Sequence, residues 1–80
     1  PVMSERQQII YMQARIMRLA SERWNKPMEK VAALFTQYNA LRYIEECFDM
    51  FHVEGDEAIL EDVETYLKGR GMREGAEIGG

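Results

Sequence analysis

Apolar residues in the first part of the chain recur at three- and four-residue intervals. Ile9, Met12, Ile16 and Leu19 form the centre of the stripe, and Ile10, Ala14, Met17 and Ala20 widen it. This period puts one broad face of an α-helix against a core and leaves Arg15, Arg18, Glu22 and Arg23 in solvent. Ser4-Glu5-Arg6-Gln7, just before the stripe, has the form of a capping box: the Ser4 hydroxyl can accept from a backbone amide of the first turn while Gln7 reaches back. Trp24 is placed to close the buried face. Asn25-Lys26-Pro27 ends the helix and starts another, because proline disfavours a helical predecessor yet suits a first helical turn. That second helix, over residues 27–36, buries Val31, Leu34 and Phe35.

The pattern continues after a short connection at Tyr38-Asn39, with Asn39 as a cap. A third helix follows, in which Leu41, Ile44, Phe48 and Phe51 make the stripe, Cys47 flanks it, and Arg42, Glu45, Glu46 and Asp49 face outward. His52-Val53-Glu54-Gly55 breaks the chain again. Asp56 is suited to N-cap a fourth helix that buries Ile59, Leu60, Val63 and Leu67, with Glu57 complementing the helix dipole. Gly69 is expected to end it in a left-handed conformation. Five of the six glycines lie in residues 69–80, where no apolar period survives, so this end is expected to be a flexible tail. The fold class that follows is all-α: one domain over residues 1–68, a small bundle of about four helices.

Composition agrees with a folded chain. Hydrophobic residues make up 46% and charged residues 30% of 80 positions, a balance that supports a core but only a small one. A single cysteine, Cys47, excludes an internal disulfide and points to a reducing, cytoplasmic setting. Gln13, Arg15 and Arg18 interrupt the first helix, so it has neither the apolar run of a signal peptide nor the length of a membrane span. The net charge of −4 is unevenly spread: Lys and Arg outnumber acids before Ile44, and acids far outnumber them after it. Such a chain can pair its halves internally, the plainer reading, or present one sign to a partner.

The densest polar cluster is Asp49, His52, Glu54, Asp56 and Glu57. Asp49 and His52 are three apart, which on a helix sets a carboxylate beside an imidazole and can fix its tautomer. No metal is expected, since zinc asks for several His or Cys at defined spacing and a calcium loop for alternating oxygens. Cys47 and His52, five apart, diverge by roughly 140° on a helix and do not form a nucleophile–base pair. With no glycine-rich phosphate loop and no nucleophile elbow either, the reading is non-enzymatic, without catalytic residues or cofactors. A helix-turn-helix around residues 37–39 is the alternative. Its would-be recognition helix carries Glu45, Glu46 and Asp49, which repel phosphate, so nucleic acid is the less favoured partner.

Residues of the second half resemble a known family. Tyr43-Ile44, Phe48-Asp49, His52, Gly55, Glu57, Ile59, Glu61-Asp62-Val63 and Tyr66-Leu67 are similar to the ending of the bacterial domain-of-unknown-function family numbered 3791, over about residues 31–69. Val53 stands where that family usually has threonine, which argues against a hydroxyl acting beside His52. The resemblance implies a compact helical protein, in some genomes encoded beside ADP-ribosyltransferase-like proteins, and hence an antitoxin-like or accessory role. Residues and resemblance together give the expectation of a protein–protein interaction module, possible also as a homodimer, not bound to a membrane. Its recognition face is expected at Glu45, Glu46, Asp49, His52, Glu54, Asp56, Glu61 and Asp62.

Overall fold

The computed structural model describes residues 2–73 and contains helices alone as regular structure: α1 (Glu5–Trp24), α2 (Met28–Gln37), α3 (Ala40–Glu46), α4 (Phe48–Phe51) and α5 (Asp56–Gly69). The longest, α1, is the axis on which α2, α3 and α5 pack, while α3 bridges α2 and α5 and carries α4 at its end. No helix among the described residues is long and apolar enough to cross a membrane.

Each helix forms where its sequence signals it. Ser4 is extended and accepts from the Gln7 amide, and the Gln7 side chain accepts from the Ser4 amide in return, so two orphan donors of α1 are satisfied reciprocally. At the other end Asn25 takes the left-handed conformation (φ 54°), and the amides of Lys26 and Asn25 bond back to Ser21 and Glu22. Pro27 precedes α2 as its extended cap, one residue outside the helix expected from it. Asn39 does occupy the cap position of α3, but it acts by its backbone: it is left-handed (φ 59°) and its side chain caps nothing.

The expected third helix is broken at Cys47. The break carries no proline or glycine; Cys47 sits at φ −97°, ψ 11°, and its carbonyl accepts from both Met50 and Phe51, tightening the turn. The apolar stripe nonetheless runs through, since Ile44, Phe48 and Phe51 are all buried. Gly55 caps α5, and Asp56, expected there, is instead its first helical residue. The left-handed glycine is Gly71 (φ 107°), not Gly69, which is still helical. Met72 and Gly71 donate to Leu67 and Lys68, the paired bonds of a Schellman ending, and Met72 folds back into the core. The ordered body therefore runs past the expected boundary at residue 68; the rest of the expected tail, 74–80, lies outside the described residues.

The core joins all five helices. Ile16, Val31, Phe35, Ile44, Phe51, Ile59, Leu60, Val63 and Leu67 are fully enclosed, each large one contributing roughly 2–3 kcal/mol relative to exposure. Trp24 closes the α1 face as expected and meets Phe35 with ring centroids 6.0 Å apart. Ile10, expected to widen that face, lies instead 48% exposed on its flank.

Candidate functional site

The carboxylates expected to form one recognition face are divided by the fold, because basic residues of α1 reach several of them. Arg6 donates to Glu45 at 2.8 Å and Arg15 to Asp56 at 3.1 Å. Arg23 bonds Glu57 and approaches Glu64 at 3.8 Å, and Glu64 also accepts from the Trp24 indole at 2.7 Å. Glu46 pairs with Arg42 one turn away on α3. Asp62 accepts from the Tyr43 hydroxyl at 2.5 Å. Asp49, Glu54 and Glu61 are exposed and form no ion pair among the described residues. Each exposed pair contributes at most about 1 kcal/mol, yet together they join the basic first half of the chain to its acidic second half.

A second polar group lies inside the α3–α5 contact. Tyr43 and Tyr66 stack with centroids 4.0 Å apart, and the Arg70 guanidinium lies over the Tyr66 ring, 5.5 Å from its centroid. The Tyr66 hydroxyl donates to the Tyr38 carbonyl at 2.9 Å, fixing α5 to the α2–α3 turn. Burial, and then the hydrogen bond and the charge of Asp62, push the Tyr43 phenol well above its ordinary range near 10. This network is a lock between helices.

His52 does not pair with Asp49. It follows the last residue of α4, and its ring stacks on Phe48 one turn back at 5.5 Å, with no side-chain hydrogen bond among the described residues. The two rings form one wall of a shallow pocket of about 200 Å³. Gln8, Tyr11, Met12 and Arg15 of α1 form the opposite wall and Met3 its lip. The exposed large apolar side chains among the described residues are Val2, Met3, Ile10, Tyr11, Met28, Met50 and Val53; Met3 and Tyr11 line the pocket, and all but Met28 lie on segments that build or adjoin it in the chain. Of the residues expected on the recognition face, His52 alone lines it. Tyr11 carried a signal, being an aromatic side chain outside the α1 stripe, whereas the approach of Phe48 to α1 has no local signature.

The described residues bring together no group of three His, Cys, Asp or Glu suited to a metal ion. All buried side-chain nitrogens and oxygens among them have hydrogen-bond partners. The fold defines a small all-α protein, and this pocket is a partly aromatic depression between α1 and α4. Its sequence matches the profile of the family described as protein of unknown function (DUF3791) over residues 11–70, and the chain belongs to that family. The match takes in most of α1, beyond the 31–69 over which the resemblance is visible by eye. No curated protein and no solved structure matches the chain.

Proposed function

We propose that the protein is a non-enzymatic protein-interaction module, antitoxin-like or regulatory, that docks its partner at the pocket between α1 and α4. The observation that carries this reading is a depression lined by Phe48 and His52 on one side and by the exposed Met3 and Tyr11 on the other, with Met50 and Val53 exposed on the same short segment as Phe48 and His52. Such patches mark interaction sites on small proteins, and large aromatic anchors dominate their energetics. The charges fit the same reading. Of Arg15, Arg18 and Arg23, the α1 arginines a nucleic-acid surface would use, Arg15 and Arg23 face Asp56, Glu57 and Glu64 and only Arg18 is without an ion pair among the described residues, so α1 offers phosphate a weakened field. His52 stacked on Phe48 supports an anchoring wall more than a general base. The first candidate partner is an ADP-ribosyltransferase-like protein, of the kind encoded in some genomes beside members of the family this chain resembles.

A photo-cross-linking residue placed at Tyr11 or at Val53 in the source organism tests the proposal. Both positions are expected to trap the same protein, while the exposed Lys30 on α2 traps none. Identical patterns at all three positions, or no adduct at any, would overturn it.

A further inference from the structure

Resting on the reading of this pocket as a docking site, we propose that its occupant is a segment of a different protein that presents one large apolar side chain with lysine or arginine close beside it. Size comes first. Sites for drug-sized ligands enclose roughly 300–1,000 Å³. A pocket of about 200 Å³ is smaller and open, suited to a single anchoring side chain. Its lining mixes Met3, Tyr11, Met12 and Phe48 with Gln8, Arg15 and His52; Arg15 is turned to Asp56, and the apolar side chains that an incoming group can reach are Met3 and Tyr11. An apolar anchor packs against these two side chains.

Charge gives the flanks. Phe48 and His52 line one side of the pocket, and their chain neighbours Asp49 and Glu54 are both exposed and without an ion pair among the described residues. Between them in the chain lie Met50, 48% exposed, and Val53, 76% exposed. A segment crossing this ground meets apolar surface bordered by uncompensated negative charge, which favours cationic flanks and repels acidic ones. The same feature disfavours a second copy as occupant. A two-fold dimer through this end would gather two copies each of Asp49 and Glu54 in one interface, in a chain whose net charge is already −4.

Selection from a displayed library of random peptides on the full chain, with counter-selection on Tyr11→Ala, tests this directly. Enriched peptides are expected to share an aromatic, leucine or methionine anchor with a neighbouring Lys or Arg. Their affinity is expected to fall about five- to ten-fold on Asp49→Lys/Glu54→Lys, to fall with added salt, and to be unmoved by Glu61→Lys, a matching charge reversal on α5. Enriched peptides with acidic flanks, or affinity indifferent to the double reversal, overturn the partner chemistry and leave the docking site standing. A concentration-dependent dimer that shields Tyr11 also overturns it, in favour of a second copy. If no peptide is enriched and the cross-linker at Tyr11 traps nothing, the docking reading fails as well.

Discussion

At the residue scale the polar side chains that matter most are those between helices. The Tyr43 hydroxyl donates to Asp62 from within the α3–α5 contact, where burial above all, and then that carboxylate, disfavour phenolate. A phenol whose folded pKa is raised contributes stability that is complete below its unfolded value of about 10 and is lost as pH rises through the folded value. Wild type is therefore expected to lose stability increasingly above pH 10, as followed by chemical unfolding across an alkaline series. Tyr43→Phe is expected to be less stable by about 1–2 kcal/mol at neutral pH and to lack the alkaline loss attributable to Tyr43. Trp24 and Glu64 form the corresponding link between α1 and α5. Glu64→Ala leaves a buried indole N–H unsatisfied and is expected to cost about 1–3 kcal/mol, with a shift in tryptophan emission. Neither link was legible in the sequence. Asp62 reads there as one more surface carboxylate, because its partner is nineteen residues away on another helix.

At the scale of elements, much was legible because the signals are local. The Ser4-to-Gln7 box, the stripe from Ile9 to Trp24 and the run of Ile59, Leu60, Val63 and Leu67 each need only their own helix to be read. The break at Cys47 was hidden, since the apolar period passes through it and no proline or glycine marks it. The end of α5 was misplaced for a related reason. Two glycines stand close together, and which of them turns left-handed is decided by Met72 finding the core, a tertiary event. Gly71→Ala is expected to destabilise by about 1 kcal/mol or somewhat more through backbone strain alone, since its Cβ would meet nothing within 4 Å; Gly69→Ala is expected to be neutral or stabilising. Met72→Ala removes buried contacts and is expected to cost about 2–4 kcal/mol. Thermal unfolding of the three variants separates strain from packing.

At the scale of the whole molecule, the fold brings the basic first half of the chain against its acidic second half. Arg6, Arg15 and Arg23 each reach a carboxylate more than thirty residues away, so the internal alternative for this dipolar sequence is the one realised at those positions. These pairs are exposed, and moderate salt is expected to move the melting temperature only slightly, because each is weak and readily screened. Their consequence is for recognition. Glu45 and Asp56 have cations beside them, and the surface left with apolar side chains and unpaired acids is the α1–α4 end, where Tyr11, Phe48, His52, Asp49 and Glu54 lie on segments that only tertiary folding joins. The central claim is that this end, and not the acidic side of α5, binds the partner. It is tested most directly by measuring the affinity of the cross-linked partner for two variants whose unfolding curves match wild type, Tyr11→Ala and Glu61→Lys. Loss of an anchoring aromatic is expected to weaken binding about thirty-fold or more in Tyr11→Ala, with Glu61→Lys within about two-fold of wild type. Full affinity in Tyr11→Ala together with a large loss in Glu61→Lys would contradict the account and return recognition to the acidic face of α5.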